Sequence, residues 1–242
     1  MSTGSSARTH AHTNARTSAR KLEKQTAIAS ASCGVFGREG YTRATVDELA
    51  AAAGVSTRTL YNHFPGGKAM LFATVVTWTS GQVRDAQTAL IEAALDPARP
   101  PRPEDLERDL IAFSHRVIGL MADYADHFAL IRHIRAEAEH VPPEVLEAWV
   151  NAGPGPVSRA LGDAMAGLDA AGLIDVHGDA MLAGAHFMAL TSHAVAQLSY
   201  HGVVPLPQDR TDRLIEGGVA AFLRAYRAHR SPGPHPGATL EG

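Results

Sequence analysis

The side chains best placed to do chemistry lie between Thr57 and Lys68. Thr57, Arg58, Thr59, Tyr61, Asn62 and His63 fall within seven residues, and each can donate a hydrogen bond. Leu60 and Phe64 sit among them at helical spacing, so they share one face and leave the donors to point elsewhere. Two hydroxyls, a guanidinium, a phenol, an amide and an imidazole on one short helix form a recognition set, with no nucleophile and base paired for catalysis. Arg58 has the fork that grips the two major-groove acceptors of a guanine, and Thr45 and Lys68 flank the set with further donors.

Other reactive residues are scattered. His133, Glu137 and His140 stand at i, i+4 and i+7 and could share a helical face around a divalent metal. Arg132, Arg135 and Glu139 are interleaved with them, which reads as a solvated, ion-paired surface, so no metal site is assigned. The single cysteine, Cys33, rules out an internal disulfide and fits a reducing, cytoplasmic setting. No G-x-S-x-G elbow, H-E-x-x-H pair, phosphate-binding glycine loop or paired cysteine set occurs, so neither an enzyme activity nor a cofactor is expected.

The elements that must hold the donors are legible locally. Thr45 followed by Glu48 predicts a capping box, in which hydroxyl and carboxylate satisfy each other's orphan backbone donors. Val46, Leu49, Ala50 and Ala53 recur at helical spacing, and Gly54 supplies the left-handed residue that ends the helix. Ser56 caps a second helix, with Val55 and Leu60 as its hydrophobic staple. Two helices across a glycine-containing turn, within 45–64, make a helix-turn-helix, whose second helix enters the DNA major groove.

Ala53-Gly54-Val55-Ser56, Thr59-Leu60-Tyr61, His63-Phe64-Pro65 and Lys68 together resemble the signature of the TetR family of bacterial transcriptional regulators. The likeness runs back through Ile28, Ala31, Val35, Phe36, Gly40 and Tyr41 and forward to Leu71 and Phe72, about the first third of the chain. It implies base contacts from Thr57, Arg58, Tyr61 and Asn62, and phosphate contacts from Thr45, Tyr61, His63 and Lys68; Thr59 belongs to the same DNA-binding set. One departure stands out. The family usually has three steps from the Phe to the Lys, and this chain has four, because Gly66 is followed by Gly67.

Of the 242 residues, 45% are hydrophobic and 19% charged, the composition of a soluble globular protein. No apolar run approaches the ~20 residues of a membrane span, so no membrane partner is expected. The net charge of −3 hides a division. Residues 1–70 hold nine Lys/Arg against four Asp/Glu, a net of +5, and residues 71–242 hold thirteen against twenty-one, a net of −8. A basic front on an acidic body concentrates the phosphate-attracting field where the donors are.

Along the chain, 1–18 reads as a disordered tail, with Arg8, Arg16 and Arg20 as a possible DNA arm. Residues 19–80 form the DNA-binding domain, 81–230 an effector-binding and dimerisation domain, and 231–242 a disordered tail. The first helix spans 19–38, with Leu22, Ile28, Ala31, Val35 and Phe36 on its apolar face. A fourth helix runs from Lys68 to about Leu95, and a proline-rich linker covers 96–103. Helices follow at about 104–122, 125–140, 143–151, 156–172, 178–200 and 209–229. The last two carry apolar stripes: Met181, Leu182, Ala185, Met188, Ala189 and Val195 on one, and Leu214, Ile215, Val219, Phe222 and Leu223 on the other. These predict a four-helix interface around a two-fold axis.

The resemblance also implies an effector cavity in the second half. Trp78, Phe113, Met121, Phe128, Trp149, Phe187 and Met188 suit its lining, with His186 and His193 to orient a polar group. No cluster of Arg or Lys stands there to hold a phosphate, so the expected effector is small and hydrophobic or aromatic.

The expectation is therefore an all-α fold: an N-terminal three-helix helix-turn-helix domain joined by a long helix to an α-helical ligand-binding and dimerisation domain. The expected function is a ligand-responsive DNA-binding transcriptional regulator, read as a repressor. It would bind a palindromic operator on double-stranded DNA as a homodimer and be released by its effector. Two other readings stay open at this point: a constitutive DNA-binding protein without effector, and an enzyme or metal-binding protein with an incidental helix-turn-helix.

Overall fold

The computed structural model describes residues 4–228, with side chains from Ser18 onward. Eleven helices account for the regular structure among these residues, and the only bridge between extended segments is an isolated one, Ile174 to Arg227. They are α1 (Gly4–Arg43), α2 (Val46–Ala52), α3 (Thr57–His63), α4 (Gly67–Ala94), α5 (Leu106–Asp123), α6 (Ala125–Ala136), α7 (Pro143–Ala152), α8 (Pro154–Ala170), α9 (Ala180–Leu190), α10 (Ser192–Leu198) and α11 (Gln208–Ala225). No helix among the described residues is long and apolar enough to cross a membrane.

Several boundaries differ from the sequence reading: α1 runs on to Arg43 past 38 and α11 ends at Ala225 before 229, and three further differences have local reasons. Helical backbone begins at Gly4 where a structureless tail is expected; the run 5–18 holds three alanines and no proline, so nothing in it forbids a helix. The second tail, from 231, lies outside the described residues. The helix expected over 125–140 stops at Ala136, and Glu137 takes the cap position. The span 178–200 is two helices, broken at Thr191 (φ −114°, ψ −96°). Thr191 is fully buried and donates its hydroxyl to Phe187 O at 2.7 Å. The break fits against Gly218 of α11, where a Cβ would stand 2.7 Å from the carbonyl carbon of Leu190.

The chain forms two compact units. Among the described residues the first comprises 4–87, 119–157 and 199–205, and the second 88–118, 158–198 and 206–228. In the first, one core unites α1 (Ile28, Phe36), α2 (Leu49), α3 (Leu60, Phe64), α4 (Leu71, Phe72) and α6 (Leu130, Ile134). Phe36 and Tyr41 both meet the Phe72 ring at centroid distances of 4.8 Å. Gly37, which costs helix propensity, is where α6 comes close. A Cβ there would lie 3.3 Å from that of Ala129, so a small residue permits the packing of α1 on α6. Leu22, expected on the apolar face, is exposed, because α1 has run past the core at that turn.

In the second unit, Phe187 of α9 lies between Phe113 of α5, at 6.0 Å, and Phe222 of α11, at 5.2 Å. Phe222 also stacks on Tyr226 at 4.7 Å. Ile215, Val219 and Phe222 are fully buried here. Of the stripe on α11 expected to meet a second subunit, Ile215, Val219 and Phe222 are core of their own subunit, and Leu214 and Leu223 are half-buried. On α9 the inward side is Ala183, Gly184 and Phe187, with Ala180 and Met188 half-buried, and Met181, Leu182, Ala185, His186, Ala189 and Leu190 are exposed.

Candidate nucleic-acid interface

The capping box forms as predicted. Thr45 Oγ1 accepts from the Glu48 amide at 3.3 Å, and Glu48 Oε2 accepts from the Thr45 amide at 2.9 Å and its hydroxyl at 2.8 Å. The Thr45 amide and then its hydroxyl hold the Glu48 carboxyl below the usual carboxylate range. Gly54 carries φ +62°, the left-handed turn that separates α2 from α3. Ser56 accepts from the Thr59 amide at 3.1 Å and starts α3. Leu60 and Phe64 are sealed in the core, which fixes the roll of α3.

That roll leaves Arg58, Tyr61 and Asn62 exposed on one side, with Tyr61 49% accessible, and Thr57 half-buried beside them. The remaining donors are partly engaged. Thr59 Oγ1 lies 2.9 Å from Ser56 Oγ, so it belongs to the cap. His63 is half-buried; its Nδ1 has no partner among the described residues, and its carbonyl accepts from Gln25 Nε2 at 2.8 Å. Thr45 is exposed but committed to Glu48.

Lys68 is placed differently from a free phosphate ligand. Its Nζ donates to Ala44 O at 3.0 Å and Thr42 O at 3.3 Å, and stands 4.8 Å from the centre of the Tyr41 ring. The turn before Lys68 carries the extra glycine. Gly67 opens α4 with φ +63°, and its amide donates to Phe64 O at 2.8 Å. The longer turn folds back on α3, where a Cβ at Gly67 would lie 3.2 Å from the Tyr61 ring.

A short capped helix, a left-handed glycine turn and a second helix with outward donors are the parts of a DNA-reading helix-turn-helix. A family model described as bacterial regulatory proteins of the tetR family matches residues 28–75, the segment that builds this geometry. A second, described as the C-terminal domain of AefR-like transcriptional repressors, matches residues 108–228, half of the chain. The chain belongs to the TetR family.

It carries the fold and both domains of a TetR-family transcriptional regulator. Among solved structures it is similar to a putative TetR-family regulator from Mesorhizobium loti MAFF303099, with 25% identity and a TM-score of 0.72 over 86% of this chain and 98% of that one. The flavonoid-responsive regulator FrrA shares the fold at 24% identity and a TM-score of 0.63, over 86% of this chain and 99% of that one. So does the fatty acid degradation regulator FadR from Bacillus halodurans, at 17% identity and a TM-score of 0.62, over 85% and 97%. No curated protein matches the chain.

The residues expected to line an effector cavity in this TetR-family chain divide between the two units. Trp78, Met121, Phe128 and Trp149 belong to the first, and all four are half-buried. Phe113, His186, Phe187, Met188 and His193 belong to the second. There Phe113 and Phe187 are core, Met188 is half-buried, and His186 and His193 are exposed. His186 Nδ1 is 2.6 Å from the Tyr226 hydroxyl. Sequence reasoning missed His127, which is buried on α6 with Nδ1 3.1 Å from Thr79 Oγ1 of α4. Burial alone pushes its imidazole down to about 4, so the ring is neutral at physiological pH. Beside it on α4, Ser80 is buried and its Oγ has no partner among the described residues. The metal face of His133, Glu137 and His140 does not form, since α6 ends before His140 and Glu137 is bound elsewhere.

Proposed function

We propose that the chain is a dimeric, ligand-responsive repressor that binds a palindromic operator and is released by a small apolar effector. The observation that carries the reading is α3 itself. Its Leu60 and Phe64 face is fully buried, and Arg58, Tyr61 and Asn62 stand clear of the core on the other side. Arg58 reads a guanine, and Tyr61 and Asn62 contact neighbouring bases and phosphates. Thr45, Thr57, Thr59, His63 and Lys68 support the same surface.

Dimerisation is supported by α9, with Leu214 and Leu223 of α11 half-buried in the single subunit. Met181 and Leu182 are 47% and 49% exposed, and Leu190 lies on the outside of the same helix. A helix apolar all round belongs inside a protein, and a second copy of α9 would complete its burial. Two α3 helices would then sit about one turn of DNA apart, ~34–36 Å.

For the effector, the supporting feature lies in the first unit. Thr79 touches His127, and Ser80 meets Gly153, where a Cβ would come within 3.1 Å of the Ser80 Cβ. These contacts bring α4, α6 and α7 together with Trp78, Phe128 and Trp149 on them. An apolar molecule bound there would have to prefer the released state by about 10⁴-fold, ~5.5 kcal/mol, to invert occupancy from 99:1 to 1:99.

The test is selection of duplexes from a random-sequence pool by the purified chain, with sedimentation of the protein and of the complex. A palindromic consensus bound by a dimer is expected. A consensus without symmetry, bound by a monomer, would sink the dimer reading. Apolar compounds are then screened for quenching of tryptophan fluorescence and for release of the selected duplex, with Trp78→Phe and Trp149→Phe to assign the signal. Compounds that quench yet never release DNA would leave a constitutive binder.

A further inference from the structure

The helix expected to run on to residue 140 stops at Ala136, and Glu137 in the cap position (φ −110°, ψ 19°) turns its side chain to the end of α1. Its Oε2 accepts from the Thr42 amide at 3.0 Å and from the Thr42 hydroxyl at 2.8 Å, across 95 residues of sequence. Its Oε1 stands 3.6 Å from His133 Nδ1. Burial raises the Glu137 carboxyl, but the two Thr42 donors and His133 outweigh it and keep the group below its ordinary range. Gly40 makes the room. It bends the backbone at φ +76°, and a Cβ there would run into Glu137 Oε1 and lie 2.8 Å from His133 Nδ1.

Thr42 is thus held from both ends. Glu137 takes its N–H, and Lys68 donates to its carbonyl and to that of Ala44, the residue before the α2 cap. The backbone between Gly40 and Thr45 is the point where the helix-turn-helix leaves α1, and a carboxylate on α6 grips it. Hydrogen bonds to a charged acceptor are the strong kind, and here the acceptor is a side chain at a helix end whose other oxygen faces His133 of α6.

We propose that Glu137 is a positioning residue for DNA reading. Its bond to Thr42 sets the direction in which α2 and α3 leave α1. The proposal rests on the reading of α3 as the DNA-reading helix. Without the bond, the junction samples other angles at Gly40, and affinity falls by the fraction of chains no longer competent.

The test uses the full chain and the duplex it selects from a random-sequence pool. Binding is measured for wild type, Glu137→Ala, Glu137→Gln, Thr42→Val and the Glu137→Ala/Thr42→Val double variant, each with folding checked by circular dichroism at the assay temperature. Glu137→Ala is expected to weaken specific binding by roughly tenfold and Thr42→Val, which keeps the amide donor, by less, with the double variant no worse than Glu137→Ala alone. Glu137→Gln, which keeps an acceptor, should fall between. The salt slope should not change, because no phosphate contact is lost. Removing a negative charge near DNA would by itself tighten binding, so unchanged or tighter binding by a folded Glu137→Ala overturns the proposal. So does a double variant whose losses add. If Glu137→Ala does not fold, Thr42→Val decides by the same criteria. Should the wild-type chain select no duplex, the DNA reading fails on its own. The latch is then read from amide exchange at Thr42 and in α2: faster exchange in Glu137→Ala sustains it, and unchanged protection overturns it.

Discussion

The Lys68 ammonium lies 3.0 Å from the carbonyl oxygen of Ala44, so the cation at the start of α4 ties down the junction between α1 and α2. An ammonium has three donors, and two of them are spoken for here by Ala44 and Thr42.

Lys68→Met keeps the aliphatic stem and removes the charge. It should lower stability by about 1 kcal/mol through the lost carbonyl contacts. It should also weaken DNA binding alike on every sequence and reduce the salt slope by up to about one unit. Thermal melting and a salt titration check both effects. Loss of affinity with no change in melting would mean that the junction contact is not made in solution.

Arg58→Ala should relax sequence preference at one operator position, at a cost of ~1–3 kcal/mol in discrimination. Repeating the duplex selection with the variant reads this directly. An unchanged consensus bound at wild-type affinity would remove Arg58 from the base-reading set.

Phe222→Asp and Leu182→Asp should part ways. Phe222 is fully buried against Phe187 and Tyr226, so a charge there should unfold the second unit, at a cost of at least ~3–5 kcal/mol. Leu182 is half exposed on α9, so its variant should keep native circular dichroism and sediment as a monomer. A folded Leu182→Asp that remains dimeric would move the interface off α9.

His127 predicts an acid-sensitive fold. Its folded-state pKa, about 4, is below the unfolded value of 6.5, so in the window between them the unfolded chain binds the extra proton. Its contribution is present in full above pH ~6.5 and is lost as pH falls towards 4, on the order of 3 kcal/mol over the whole window. Urea unfolding at pH 7 and pH 4.5 should show a smaller pH penalty in His127→Gln than in wild type. Equal penalties would show that the ring is solvated in the native state.

The helix-turn-helix was legible in the sequence because its determinants act over a few residues. The Thr45–Glu48 box, the Gly54 turn, the Ser56 cap and the inward pair Leu60 and Phe64 all stand where their spacing places them. Once those caps set the ends of α3 and its two apolar residues set its roll, the exposure of Arg58, Tyr61 and Asn62 follows.

What only the tertiary structure decided are the choices with more than one local solution. An apolar stripe says that a helix face is buried, but not against what; α11 packs Phe222 of its stripe on Phe187, and α9 kept an apolar side outside. A lysine at a helix start has the same local signal whether it meets a phosphate or the carbonyls of Thr42 and Ala44, more than twenty residues back. Glu137 reads as one member of a surface triad until α6 stops at Ala136 and turns it towards Thr42. Caps, turns and roll depend on neighbours in the chain. Partners brought together by folding depend on which packing closes the core, and no short window of sequence holds that information.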